Sequence, residues 1–479
     1  MTNPDSAGAT VTPWPLRLAC IATAAAAARV AYAFEAPLGP KGRAACGVVV
    51  FLALIAACSS ALHRVRWRTI LWGIALQFLL AAFVLKLRTP PFTIPLGLVD
   101  IECQGRPGYE LISAIAGVIN QFLKFSDRGA EFVFGALADP AAVDKPFPGR
   151  GFVFAFRALP PIIFVSSFFT VLYYFGVLQF IVRLLARGMM YVMGTSGAET
   201  LSAAANVFMG QTEAPLIVKP YVKRMTESEL LAMMVGGMAT ISGGIMAVYI
   251  GLGADPVAIL ATSVMAAPCG LYLSKLLVPE LGEPETRGQA GAKTTSDHGH
   301  ANAIDAASAG ASDGLHLALN VAAMLIAFLA FIAMFNHLFG LIDTTRWRTA
   351  GWALPEKLSL EWLFGKLFSP IAFLMGVETR DTAAVGSLLG TKLIANEFVS
   401  YVALTDPAMK DTLDPRSFRL AVYALTGFAN FASVGIQLGG IGAMAPDRRP
   451  DLARLGMRAL LAGFTATVVN ACVAGILMD

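Results

Sequence analysis

Two carboxylates stand inside apolar sequence where acids are rarely placed. Glu213 closes the run Gln211-Thr212-Glu213, ahead of Ala214 and Pro215, and Glu397 sits in "GTKLIANEFVSY" (390–401). An acid at bilayer depth is costly unless it faces protein or water, so each is a candidate for holding a polar solute or an ion. Asn206 and Thr240, with the backbone around Met209 and Ile241, add neutral oxygens, the ligand type that hard cations such as Na+ take. Phe428, Asn430 and Ser433 follow at i, i+2 and i+5 in "YALTGFANFASVGI" (423–436). A regular helix would turn Phe428 and Asn430 about 200° apart, so either the chain unwinds around Gly427 and Gly435 or the site wraps the helix. A flat ring beside amide and hydroxyl groups suits a heterocycle with polar edges. Plainer roles fit the same residues: the acids as caps on half-helix N-termini, Asn and Thr as hydrogen-bonding glue between helices, Phe428 as core packing. Residue types and spacing leave both sets open.

The elements that must position these groups follow from composition. The 479 residues are 56% hydrophobic and 14% charged, with a mean hydropathy of +0.65, against roughly a quarter charged in a soluble chain. Such a chain is expected to be an all-α integral membrane protein, because helices satisfy their own backbone groups in lipid. Nine spans are expected, near 16–34, 46–62, 69–87, 157–182, 229–251, 255–277, 316–340, 417–441 and 459–478. The first could be a cleaved signal peptide, but it lacks a basic segment ahead of its apolar core, which favours a retained helix. Basic clusters at 63–68, at Arg183 and Arg187, at 219–224 and at 446–458 fall on one side, the cytoplasmic one, if 188–224 and 359–403 each enter and leave on the same face. That count puts the N-terminus inside and the C-terminus outside, and makes the two exceptions re-entrant helical hairpins. Residues 282–315, rich in Gly, Ala, Ser and charge, read as a cytoplasmic linker with a short interfacial helix near Ala303–Ser308.

The halves on either side of that linker repeat a pattern. Glu213 lies 32 residues before Ile245 in the helix that follows the first hairpin, and Glu397 lies 31 before Phe428. The two hairpins have opposite orientation, the sign of an inverted-repeat transporter with its site at mid-membrane. Other classes fit less well. A net charge of +4 without a basic, aromatic-interleaved patch excludes nucleic acid as a partner. The six cysteines form no CxxC pair, and the sequence has no HExxH or GxSxG, so neither a metal centre nor an enzyme is indicated. His298 and His300 sit in the linker, and Asp255, before Pro256, reads as a turn or cap residue. A symporter for an amino acid or dicarboxylate would need a basic partner, for which Arg380 is the one intramembrane candidate.

The runs "GQTEAPL", "MAAPCGL" (265–271), "ANEFVSY", "GFANFASVGI" and "IGAMAPDRRPDLARLGMRAL" (441–460) resemble the signatures of concentrative nucleoside transporters. Supporting runs are "WRTILWGIALQF" (67–78), "EFVFGALA" (131–138) and "VLYYFGVLQ" (171–179). The likeness runs from about residue 60 to the C-terminus in the expected order, leaving the first helix outside it. The resemblance implies that Gln211, Thr212 and Glu213 bind a nucleobase, with Ile245 and Phe428 as apolar and aromatic contacts. It implies that Glu397 holds the ribose hydroxyls with Asn430 and Ser433, and that Asn206, Met209, Thr240 and Ile241 build a Na+ site. It further implies cation-coupled import of nucleosides such as uridine through the inner membrane, driven by Na+ or by H+ as in some relatives, with an elevator motion inside a homotrimer.

On that basis the chain divides into 1–62, N-terminal membrane helices; 63–187, scaffold helices; and 188–277, the first hairpin with transport-domain helices. The cytoplasmic linker follows at 278–315, then a long scaffold helix and external loop at 316–358. The second hairpin and its following helix take 359–441, and a basic loop with a C-terminal scaffold helix takes 442–479. Two departures from the family pattern stand out. Thr240 replaces a common serine and keeps the hydroxyl, and "GVETRD" (376–381) replaces a common Gly-Val-Pro-Trp run, with an expected effect on the tip of the second hairpin.

Overall fold

Apolar helices dominate the computed structural model, which describes residues 11–95, 100–103, 105–146, 153–157, 159–288, 300–342, 344–345 and 354–478. Helices α1 (Trp14–Ala33), α2 (Glu35–Ala57) and α3 (Trp67–Leu85) come first. A small antiparallel ribbon follows, β1 (Phe92–Pro95) against β2 (Asp100–Cys103), with Phe92 opposite Cys103. Next come α4 (Pro107–Phe134), a 28-residue helix that the hydropathy reading passed over, and the short α5 (Pro140–Asp144) and α6 (Phe154–Arg157). Its apolar residues form one stripe among polar ones, and averaged hydropathy hides such a helix.

The remaining elements form two halves of matching order. The first is α7 (Pro160–Tyr174), α8 (Val177–Met193), a hairpin of α9 (Gly197–Ala205) with α10 (Ala214–Ile217) and α11 (Lys219–Val222), a broken helix α12 (Glu227–Ala239) and α13 (Gly243–Gly251), then α14 (Pro256–Leu277). The second is α15 (Ala303–Gly340), α16 (Leu360–Leu374), a hairpin of α17 (Thr382–Ile394) with α18 (Glu397–Thr405), the short α19 (Pro407–Lys410), a broken helix α20 (Pro415–Leu425) and α21 (Phe431–Met444), then α22 (Arg449–Leu477). No hairpin limb approaches the ~20 residues that a helical span requires. The halves run opposite ways along α14, which is about 33 Å long. The base of the first hairpin meets the chain just beyond its C-terminal end, where Gly197 N–H donates to Thr286 O. The base of the second lies at its N-terminal end, where Lys410 Nζ donates to Gly253 O at 3.4 Å.

Sequence signals explain the starts and breaks. Ser196 with Glu199, and Thr226 with Glu229, form capping boxes that begin α9 and α12. Asp255 caps α14, accepting from Val257 and Ala258 N–H, as its place before Pro256 suggests. The two caps and the end of α14 are bound together: Ser196 Oγ donates to Glu229 Oε1 at 2.6 Å, and Lys275 Nζ lies 2.6 Å from Glu199 and 3.1 Å from Glu280. The basic clusters gather at this same end, through Lys223–Asp447 and Arg454–Glu227 ion pairs and Arg448 donating to Lys223 O and Met225 O.

Several expectations need correction. Among the described residues eight helices, not nine, are long and apolar enough to cross a membrane. The expected span 417–441 is interrupted at 426–430, where Thr426 turns extended and Gly427 takes φ +154°. The expected 157–182 span ends at Gly176, whose left-handed φ of +76° starts α8. Residues 303–315 are not linker but the first turns of the 38-residue α15, capped by Asn302. The small residues that read as linker composition are a packing seam. Gly310 lies against Ser167 and Thr170, Gly314 lies against Ile163 on α7, and Ser167 Oγ donates to Ala307 O. The hairpins themselves are narrower than expected, 197–222 and 382–405. "GVETRD" forms the turn between α16 and α17, held by Arg43 donating to Val377 O. It is separated from Glu397 by the length of α17, about 20 Å, so it is not the tip of the hairpin that carries Glu397. His298 lies outside the described residues, and His300 is 3.6 Å from Asp305.

Candidate substrate and cation site

The first hairpin reverses over 206–213, and Pro215, in the first turn of α10, lacks the N–H that a continuing helix would use. Gly210 N–H donates to Glu213 Oε2 at 3.1 Å, which closes the turn on its own acid. Gln211 Nε2 donates to Ser433 Oγ at 3.2 Å, and Gln437 Nε2 donates to Gln211 Oε1 at 3.3 Å and to Met234 O at 3.0 Å. The Thr212 methyl faces Gly440, where a Cβ would come within 2.7 Å of it. The reversal is thus pinned to the second half of the molecule.

Glu397 opens α18, and the preceding Asn396 caps that helix by accepting from Val399 N–H. The acid is therefore free of capping duty. Its Oε1 accepts from Tyr249 OH at 3.1 Å and its Oε2 from Asn430 Nδ2 at 2.9 Å, while Asn430 Oδ1 caps α21 by accepting from Ser433 N–H. Tyr249 is stacked on Tyr401 with centroids 3.9 Å apart. A carboxylate offers about four acceptor positions, so the donors from Tyr249 and Asn430 do not exhaust its capacity for a ligand's hydroxyl.

These residues line one cavity of about 160 Å³. Gln211, Thr212, Glu213, Ile245, Glu397, Phe428, Asn430 and Ser433 all border it. Leu317, Val321 and Met324 of α15, at i, i+4 and i+7, form an apolar wall of it. A second cavity of about 440 Å³ shares Glu213, Ser242 and Leu317 with the first and extends to Lys219 and His300 at the basic end.

The expected cation residues lie mostly behind this pocket. Asn206, Thr240 and Ile241 are fully buried, and Met209 borders the larger cavity. Asn206 Nδ2 donates to Ser202 O, whereas its buried Oδ1 has no partner. Thr240 Oγ1 donates to Gly236 O at 2.9 Å, and Thr240 O accepts from Phe428 N–H at 3.1 Å, so the two helix breaks touch. Among the described residues no group of three or more His, Cys, Asp or Glu is placed to hold a metal. An orphaned, buried amide oxygen is the ligand type a hard monovalent cation takes.

Sequence reasoning missed Tyr249, Asn396, Ser242 and the α15 stripe. Tyr249 stands four residues after Ile245, on the same face of α13. It also misplaced the basic residue. Arg380 is largely exposed and paired with Asp381 and Asp414, whereas Lys392, two residues after Gly390 in the quoted run, is completely buried. Among the described residues no Arg, Lys or His borders the 160 Å³ cavity, which gives an anionic substrate no basic partner there.

Two opposed hairpins, two broken helices and a cavity where they meet, apolar with a few convergent polar groups, define an inverted-repeat membrane transporter. The model of the Na+ dependent nucleoside transporter C-terminus matches residues 258–475, that of nucleoside recognition matches 155–256, and that of the Na+ dependent nucleoside transporter N-terminus matches 46–94. The chain is 39% identical to an uncharacterized transporter of Haemophilus influenzae over 90% of this chain and 96% of that one. It is 40% identical to the mouse sodium/nucleoside cotransporter 1 over 90% of this chain, spanning 63% of the length of that relative. A structure of CNTnw in an inward-facing substrate-bound state superposes with a TM-score of 0.80 at 36% identity, covering 91% of this chain and 97% of that one. The chain therefore belongs to the Na+ dependent nucleoside transporter family. It is an alternating-access transporter rather than an enzyme, with nucleosides as the substrate class and Na+ as the coupling ion.

Proposed function

We propose that the chain imports uridine-like nucleosides across the inner membrane, with the base held by Gln211, Thr212 and Glu213 between Ile245 and Phe428. The ribose diol would rest on Glu397, with Asn430 and Ser433 completing its contacts. Na+ would bind Asn206 and Thr240 side chains with carbonyls of Met209 and Ile241. The observation that carries this reading is the Glu397 carboxylate, buried at the cavity wall and oriented by Tyr249 and Asn430 with acceptor capacity to spare. Helices α7 and α15 form the fixed pair in this reading, and the hairpins with their broken helices move past it as an elevator. The larger cavity reaches Lys219 and His300, which supports a conformation open to the cytoplasm, with the N-terminus inside and the C-terminus outside. Assembly is read as a homotrimer.

Uptake of labelled uridine into proteoliposomes tests the reading. Uptake should follow an imposed Na+ gradient and be displaced by nucleosides but not by amino acids. Uptake driven by a H+ gradient in choline medium would replace Na+ by H+. Displacement by an amino acid would overturn the substrate assignment.

A further inference from the structure

We propose that the Lys392 ammonium is a tethered cation that fills, in the second repeat, the place taken by mobile Na+ in the first. The inference rests on the reading of Asn206 and Thr240 as a Na+ site. Both breaks are built alike. The first half-helix ends at a threonine, Thr240 or Thr426, whose hydroxyl donates back four residues, to Gly236 O at 2.9 Å or Val422 O at 2.7 Å. The second half-helix begins at a capping residue, Ser242 or Asn430, that accepts from the N–H three residues on. Each first half-helix aims its unpaired terminal carbonyls, and the negative end of its dipole, at the break.

The difference between the repeats lies in what answers those carbonyls. At the first break, the buried Asn206 Oδ1 has no partner and its amide sits against Gly236. At the second, Lys392 Nζ donates to Ala424 O at 2.7 Å and to Thr467 Oγ1 at 2.8 Å, and it lies 5.6 Å from the centre of the Phe464 ring. The side chain is 0% exposed, and among the described residues no carboxylate pairs with it directly; Glu397, five residues on, acts on it only through space. A buried ammonium whose neighbours are carbonyl, hydroxyl and ring is solvated as a bound alkali ion would be. Thr467 also touches the break: a Cβ at Gly427 would come 2.5 Å from its Cγ2. Lys392 is thus a positioning residue for Phe428 and Asn430, five residues ahead of Glu397 on the same hairpin.

The test compares three substitutions by the Na+ dependence of uridine uptake and of purified-protein melting. Lys392→Arg keeps the charge and should keep the steepness of the sodium curve. Lys392→Met fills the space without charge and should cut uptake by about tenfold or more at every Na+ concentration, as loss of charge-assisted hydrogen bonds implies. Lys392→Ala opens the space. Its uptake should recover at high Na+ with a Hill coefficient about one unit above that of the parent, as expected for one added ion, and choline should not substitute. Recovery of folded Lys392→Ala only in high Na+ supports the inference equally. Failure of that variant at all Na+ concentrations, or identical sodium curves for the Ala and Met variants, overturns it. Asn206→Ala separates the two readings: an unchanged sodium curve there removes the first-repeat site, whatever Lys392 does.

Discussion

Glu397 is held by two donors before any substrate arrives, so the cost of orienting it is met by Tyr249 and Asn430. Hydrogen bonds to a charged group contribute about 1.5–3 kcal/mol each, so Glu397→Gln should lower uridine uptake by at least about tenfold while leaving the protein in the membrane. Transport assays paired with surface labelling check this, and wild-type uptake in the variant would remove Glu397 from the site. A 2′,3′-dideoxynucleoside, lacking the diol, should lose a comparable factor as competitor. Glu213 and Glu397 were legible because an acid is conspicuous among apolar residues. Lys392 was equally conspicuous in "GTKLIANEF" and was passed over. Tyr249 was hidden for the opposite reason: among apolar neighbours its ring reads as core, and only the fold shows its hydroxyl reaching Glu397.

At the scale of elements, the breaks matter more than the helices. Gly427 has φ +154°, and a Cβ there would press on Thr467 and on the carbonyls of Met238 and Ala239. Gly427→Ala should therefore lower the melting temperature and reduce uptake, and normal values for both would show that the break tolerates strain. Lys275 joins α14 to the capped start of α9 and to the segment holding Glu280. Breaking such a buried ionic group costs about 3–5 kcal/mol, so Lys275→Met should melt well below the parent at fixed scan rate. Paired interrupted segments were legible from the spacing of Glu213 with Ile245 and of Glu397 with Phe428. The break at Gly427 was one of two readings of the Phe428 and Asn430 spacing, whereas Gly435 lies inside the continuous α21 and the break at Thr240–Ser242 was read through as one span. The start of α15 was misread because Ala306, Gly310 and Gly314 are small for close packing on α7, and small residues also mark linkers.

For the whole molecule, the larger cavity and the basic clusters share one end, the cytoplasmic one in the proposed orientation, where reagents should enter. In a variant freed of its native cysteines, Thr170→Cys on the wall of that cavity should react with an impermeant thiol reagent from the cytoplasmic side. Reaction from the outside alone would reverse the assigned orientation. The membrane class and the mirrored halves were legible from composition and charge bias. The touching of the breaks was not, because it joins residues 188 positions apart, Thr240 O accepting from Phe428 N–H. In the proposed reading, that single bond ties Thr240, a residue of the cation site, to Phe428, the ring set against the base. Whatever factor sodium adds to nucleoside affinity, nucleoside must return to sodium affinity, since free energy around a closed cycle sums to zero.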